Sequence, residues 1–500
     1  MSITALGRLV DVRILLFVVA SGGLAGIQVL ANAQSGPATP RAAAVAKLQS
    51  DVPELMKQGD VPGLSIAVIR GGKVFWHGNF GVKNLKSAQP VDDNTVFEAA
   101  SLSKPVFAYA VLKLVEQRKI GLDVPLTKYL PKPYIEGDAR LEKITARLVL
   151  SHRTGFPNWR GDGNPLTIHF PPGERFSYSG EGFIYLQRAV EQIEGQPLND
   201  VMNTLVFAPL GMTSSSYVWR PDFDERTATG HDSDGTPQDL WKPEEAGAAS
   251  TLNTTAHDYA MFVAAIVNGV GLKSATFREM ETPQIAVDPN CTNCTERTPK
   301  ELSKAIFWGL GWGIQKNGGE TSLWHWGDNN SFKCFVVANP SRKSGVVMFT
   351  NSENGLAITP AVIRDATGND HLAFRWIKYD AYDSAAMKFR QAVHEKGVEA
   401  AVQAFASSLK DGAIPEGALN SVGYHLLGQK RTADAIRLFK LNTELHPASA
   451  NTFDSLGEAY MESGDKPLAI QNYEKSLSLD PKNSNAVTQL KKIREVPLQN

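Results

Sequence analysis

Thr95-Val-Phe-Glu-Ala-Ala100-Ser101-Leu-Ser-Lys104-Pro-Val106-Phe-Ala-Tyr-Ala110-Val-Leu-Lys-Leu-Val115 joins a strand-like run to a stretch of helical periodicity, with a serine at the junction. Phe107, Ala110, Val111, Leu114 and Val115 recur at helical spacing. Pro105 stands in the first turn and Gly121 just past the end, so the pattern predicts a helix from Leu102 to Lys119. Ser101 then lies at the positive end of that helix, beside free backbone N–H groups. Lys104, three residues on, returns to the same face. A serine hydroxyl is a weak nucleophile at neutral pH, and a desolvated lysine loses enough proton affinity to accept its proton. The pair is chemically sufficient to begin an acylation.

The S-x-x-K spacing alone is weak, because it also occurs at Ser407/Lys410 and Ser463/Lys466. Ser463 falls between two repeated helical stretches and Ser407 on a helix without catalytic company. Only Ser101 has a strand before it and an amphipathic helix after it.

Working outward, the chain has 500 residues, 42% of them hydrophobic, which predicts two globular parts with a sizeable core. With 51 basic and 52 acidic residues the formal charge is −1. No global field attracts phosphate backbones or anionic membranes, so nucleic acid is not an expected partner. Arg8 and Arg13 precede an apolar run from Ile14 to Leu30, broken by Ser21, Gly22, Gly23, Gly26 and Gln28, and Ala31-Asn-Ala33 follows. Residues 1–33 read as a secretory signal peptide rather than a spanning anchor, with a periplasmic or extracellular destination and no stable membrane anchor after cleavage. A Pro/Ala-rich linker is expected over 34–48. Cys291, Cys294 and Cys334 are the only cysteines. The C-x-x-C has no further ligand for zinc and reads as a short-loop disulfide or two free thiols, and Cys334 as a core thiol. No metal and no cofactor are expected.

Gly63–Arg70 and Lys73–His77 flank Gly71-Gly72 and predict a hairpin. The middle, about residues 122–280, is rich in helices and loops. Strand-like runs return at 312–315, 332–338 and 345–350, so strands flank a helical middle, which suggests an α+β domain whose sheet is closed by its two ends. The last hundred residues change character. Gly423 maps onto Gly457, Ala435 onto Ala469, Ile436 onto Ile470, Phe439 onto Tyr473, Leu445 onto Leu479 and Pro447 onto Pro481, all at an offset of 34. That fits the tetratricopeptide helix pair, in copies at about 416–449 and 450–483. Two copies are few for such an array, so Ala386 to Leu409 or the preceding domain is expected to complete the stack.

Phe97-Glu-Ala-Ala-Ser-Leu-Ser-Lys-Pro-Val106 resembles the nucleophile segment of class C β-lactamases, penicillin-binding esterases and D-aminopeptidases. The resemblance spans about residues 50–360. It continues in the family's order through Leu150-Ser-His-Arg-Thr-Gly155, Pro172-Gly-Glu-Arg-Phe-Ser-Tyr178-Ser-Gly180, Gly309-Leu-Gly-Trp312 and His325-Trp-Gly327. It implies a β-lactamase/transpeptidase-like antiparallel sheet with a helical subdomain over 49–375, followed by an all-α repeat region over 376–500. It also implies that Tyr178 shares proton transfer with Lys104, where a tyrosine near the lysine is expected to be partly ionised. Without that likeness, Tyr178 reads as a core aromatic beside Phe176 and Phe183. His325-Trp-Gly327 takes the place of the third motif on an edge strand, with the backbone N–H groups of Ser101 and Asp328 as the oxyanion hole. The plainer reading of His325 is a histidine packed between Trp324 and Trp326, and His152 reads as structural. Where the family usually has Tyr-x-Asn, this chain has Tyr178-Ser-Gly180, and Glu181 is the expected substitute for the missing amide.

The function implied is an exported serine hydrolase that forms a Ser101 acyl-enzyme on an ester, amide or β-lactam bond of a small molecule or peptide. A neutral histidine in place of lysine gives weight to ester and peptide substrates. The alternative is a catalytically weak or inactive penicillin-binding-like module acting as a protein-interaction scaffold, and in either case the repeats offer a surface for a protein partner.

Overall fold

The computed structural model describes residues 40–161 and 165–495, and the leader read over 1–33 lies outside them. Ten strands are present among the described residues: β1 (Gly63–Arg70), β2 (Lys73–Gly81), β3 (Phe97–Glu98), β4 (Asn253–Thr254), β5 (Ile285–Ala286), β6 (Ile306–Trp308), β7 (Gly313–Asn317), β8 (Glu320–Asp328), β9 (Lys333–Asn339) and β10 (Ser344–Thr350). Eight form one antiparallel sheet in the order β2-β1-β10-β9-β8-β7-β6-β5, and β3 pairs with β4 in a short separate ladder. β1 pairs with β10, Leu64 opposite Thr350, so the ends of the domain do close its sheet.

Side-chain alternation sets the layers. In β10, Val347 and Phe349 enter one core while Val346 and Met348 enter another, and in β9 Val336 and Ala338 part from Phe335 and Val337 in the same way. A strand apolar at both parities is covered on both faces. The first core takes Phe107 from α1 (Ser103–Glu116), Phe183 from α2 (Gly180–Glu194) and Phe262 from α3 (Ala256–Asn268). The second takes Val52 from the helix Pro40–Gln58 and Ile358 from the helix Gly355–Thr367. Each such side chain, fully buried, contributes about 1.5–3 kcal/mol.

Two sequence boundaries are corrected. The stretch 34–48 read as a linker contains the start of the helix Pro40–Gln58, whose Leu48, Val52 and Leu55 follow helical spacing into the second core. The boundary after 375 also moves. Trp376 is buried in the second core, and Ile377 and Tyr382 pack against it, so the sheet domain keeps a segment assigned to the helical region.

The remaining helices have a core of their own. Ala385–Lys396, Val398–Ala404 and Ala406–Lys410 lead into the pairs Glu416–Gly428 with Thr432–Leu445 and Ala450–Ser463 with Lys466–Leu479, and Ser484–Glu495 follows. Phe389, Val398 and Leu409 share that core, so the segment before the pairs joins the stack. Glycine permits the close crossing. A Cβ on Gly423 would lie 2.4 Å from the Phe439 ring, and one on Gly457 3.0 Å from Tyr473. The region docks on the sheet domain through Asp234, which accepts from Gln429 at 2.7 Å and pairs with His425 Nε2 at 2.7 Å and His394 Nδ1 at 3.1 Å.

Gly423→Ala is expected to destabilise the helical region by about 1–3 kcal/mol through overpacking. Gly417→Ala, exposed with open space around it, is expected to be neutral or mildly stabilising. Denaturant titration of the full chain separates the two, and equal effects would refute the close crossing.

Candidate active site

After β3 the chain reverses at Ala100, whose φ of 46° is left-handed and costs a residue with a Cβ roughly 1–2 kcal/mol. Three hydrogen bonds hold it there. Ala99 N–H donates to Leu252 O at 2.8 Å, Ser103 Oγ to Ala100 O at 2.6 Å, and Leu252 N–H to Ser103 Oγ at 3.0 Å. Strain persists where the surroundings over-determine it. A 3-10 turn, Ala100–Leu102, carries Ser101 into partial exposure between buried neighbours, and α1 begins at Ser103 rather than at Leu102.

Lys104 is fully buried. Its Nζ lies 2.9 Å from Ser101 Oγ and donates to Ala249 O at 2.8 Å. The rings of Tyr178, Phe183 and Trp159 stand 4.9, 5.7 and 5.9 Å from Nζ. No carboxylate among the described residues forms an ion pair with it. Desolvation disfavours the ammonium, and burial pushes the pKa down to about 7.

Tyr178 is buried, with its hydroxyl toward Ser101 but without a completed hydrogen bond to protein. Burial raises its pKa well above the ordinary phenol value, which overturns the expected partial ionisation: desolvation of a phenolate outweighs the opposing Ser101 hydroxyl. Tyr178 is therefore a neutral donor. His152 stacks on its ring at 4.2 Å and accepts from Ser179 N–H at 3.0 Å, so the residue read as structural aligns the tyrosine.

His325 is fully buried, and its Nδ1 donates to Trp326 O at 2.8 Å. That partner fixes the tautomer and leaves Nε2 as a bare acceptor, with no protein partner. Burial, reinforced by Lys104, pushes its pKa down to about 3, so it is neutral. The expected edge strand holds only in part. β8 is interior, but its ladder with β7 starts at Gly313 opposite Trp324, so His325–Asp328 pair with β9 alone. This open half-edge approaches the nucleophile turn closely: a Cβ on Gly327 would lie 2.6 Å from Ala99 O and 3.1 Å from Ala100 Cβ. Asp328 ends the strand, its carboxylate paired with Lys333.

Glu181 is corrected. Its carboxylate is engaged by Tyr134 and Arg160, not by Lys104. The space of the missing amide is filled by Trp159 instead, because a Cβ on Gly180 would lie 2.7 Å from the indole ring. Trp159 is 47% exposed, and no sequence motif marks it. Glu98, three residues before Ser101, is a buried carboxyl that no motif announces. Burial raises its pKa to about 7, and Asn329 Nδ2 donates to it at 2.9 Å. Cys291 and Cys294 are joined as a disulfide, and Cys334 is a buried thiol donating to Ala99 O at 3.1 Å.

A buried lysine on a strand-to-helix serine, faced by a tyrosine and a half-open strand, defines the serine hydrolases of the β-lactamase and penicillin-binding-protein superfamily. The beta-lactamase family description matches residues 48–366, well over half of the chain, and the chain belongs to that family. Protein flp of Staphylococcus aureus (strain MRSA252) is 22% identical over 359 residues, covering 67% of this chain and 67% of that protein. A penicillin-binding protein of Bacillus subtilis (strain 168) is 22% identical over 361 residues, covering 66% of this chain and 76% of the relative. Among solved structures, the octameric penicillin-binding protein homologue from Pyrococcus abyssi is similar with a TM-score of 0.54 at 25% identity, over 65% of this chain and 78% of that one.

Two measurements test the geometry. A base at Lys104 must be the unprotonated amine, so if it activates Ser101, kcat/KM for an activated ester is expected to rise with pH through about 7. Lys104→Ala should lose roughly 100- to 10,000-fold. Glu98→Gln should keep the limb, and its disappearance in that variant would transfer the titration to Glu98. Second, Gly180→Asn is expected to lower the thermal midpoint, and adding Trp159→Ala should restore it, whereas additive losses would contradict the shared space.

Proposed function

We propose that this chain is an exported serine hydrolase that forms an acyl-enzyme at Ser101, with neutral esters as its favoured substrates. The observation that carries the reading is the Lys104 amine, 2.9 Å from the Ser101 hydroxyl and pushed down to about 7 by burial alone. Neutral Lys104 takes the Oγ proton as Oγ bonds to the substrate's carbonyl carbon. The tetrahedral oxyanion is held by the N–H groups of Ser101 and Asp328. As it collapses, the bond to the leaving group breaks. The proton returns from Lys104 through the neutral Tyr178 hydroxyl to the departing oxygen. Water then attacks the Ser101 ester by the same route in reverse, releasing the acid.

Charge selects the substrate class. His325 is neutral and Lys333 is paired with Asp328, so neither offers a free cation to a substrate carboxylate. Trp159 adds an exposed apolar wall. Both features favour an uncharged ester over a carboxylate-bearing β-lactam or peptide. Export rests on the Arg8/Arg13 leader with its Ala31-Asn-Ala33 end. Among the described residues no helix is long and apolar enough to cross a membrane. The helix pairs at an offset of 34, read as tetratricopeptide-like, support a protein partner on that region.

A fluorophosphonate is expected to label the wild-type protein and not Ser101→Ala. In a side-by-side panel, p-nitrophenyl esters should turn over faster than D-amino-acid amides or a chromogenic β-lactam. Folded wild-type protein that resists labelling would sink the enzymatic reading and favour the scaffold, whose support is the missing amide at Gly180.

A further inference from the structure

The segment that leaves the sheet domain returns a side chain to the open half-edge of β8. Trp376 is buried in the second core, and its Nε1 donates to Asp288 O at 2.9 Å. Further on, Tyr382 N–H donates to Ala357 O at 3.2 Å. Between these anchors Lys378 adopts a left-handed φ of 57°, and its Nζ donates to Asn290 Oδ1 at 2.9 Å. The reversal brings Tyr379 onto the third-motif strand, where its hydroxyl donates to Asp328 Oδ2. The other carboxylate oxygen, Oδ1, pairs with Lys333 and accepts from Asn330 N–H at 3.0 Å. Lys333 Nζ lies 5.7 Å from the Tyr379 ring centroid.

We propose that Tyr379 is a positioning residue of the hydrolase site, supplied from beyond the region 48–366 that matches the family, and that it acts by fixing Asp328. The inference rests on the reading of Ser101 as nucleophile and adds to it a residue that the family's motifs do not contain. An oxyanion donor works only when held where the negative charge will develop. Small misplacements there cost rate even when the reacting groups are intact. Asp328 ends β8 on the stretch where β7 has stopped, so no strand on that side sets its position. Its carboxylate contacts do so instead. Lys333 and Asn330 belong to the strand and turn that immediately follow, and Tyr379 alone among these contacts comes from a distant part of the chain. It couples the oxyanion side of the site to the connection into the helical region. Partial desolvation of a side chain that stays 40% exposed, together with the Asp328 charge, raises the Tyr379 pKa, so it remains a donor throughout the working pH range.

The test uses the full-length protein in four forms: wild type, Tyr379→Phe, Asp328→Asn and the double variant. Each is assayed with p-nitrophenyl esters for kcat and KM, and with a fluorophosphonate for labelling of Ser101. Tyr379→Phe keeps the ring and removes the donor, so kcat is expected to fall roughly three- to tenfold, the range of one hydrogen bond, with KM nearly unchanged. In the Asp328→Asn background, which keeps the backbone and weakens the acceptor, the same change should have little further effect. An unchanged kcat in Tyr379→Phe, or an equal loss in both backgrounds, would overturn the inference while wild-type labelling leaves the hydrolase reading standing. Wild-type protein that does not label would overturn both.

Discussion

The site depends on an amine kept out of water without a counter-ion. Lys104 has a serine hydroxyl, a backbone carbonyl and three aromatic rings around it, and no carboxylate pair among the described residues. A paired lysine would stay protonated and could not accept a proton. An exposed one would titrate near its ordinary value and be charged at neutral pH. The aromatic walls thus set the protonation state, because they remove the water that would otherwise stabilise the ammonium. Tyr178 obeys the same physics with the opposite result: burial keeps the phenol protonated, which makes it a donor beside a base.

Two segments meet at Ala99 and Ala100, just before Ser101, and each is held by a backbone device. The nucleophile turn carries its strain at Ala100, secured by bonds from Ser103 and Leu252. The third-motif strand presents a half-edge because β7 is shorter than β8. Gly327 then allows an approach that any larger residue would block. The open half-edge therefore arises from unequal strand lengths in an otherwise continuous sheet.

Much of this was legible in the sequence where periodicity or motif order is a local property. The hairpin at Gly71-Gly72, the helix after Ser101, the returning strands and the offset of 34 all lie within short windows. So do Ser101, Lys104, Tyr178 and His325, which the fold brings together. What escaped is what depends on distant chain. Trp159 takes the place of an amide only because its loop folds over Gly180, and no spacing rule reports that. Glu181 looked like a substitute by adjacency, yet Arg160 and Tyr134 claim it. The expected ionisation of Tyr178 failed because a sequence shows neighbours but not desolvation. The linker over 34–48 was read from Pro and Ala content, which conceals the apolar spacing of Leu48, Val52 and Leu55.

The pairing of β1 with β10 carries a consequence for how the chain acquires its shape. Leu64 and Thr350 are neighbours in the ladder, so the first hairpin emerges long before the strand that covers it exists. Contacts between distant parts of a chain form late and slowly, and until then β1 offers bare hydrogen-bonding groups to any other strand it meets. The helix pairs that follow are built from near neighbours and need no such wait. Maturation is thus gated by the arrival of the last strand, and the interval before it is when this protein is most exposed to aggregation.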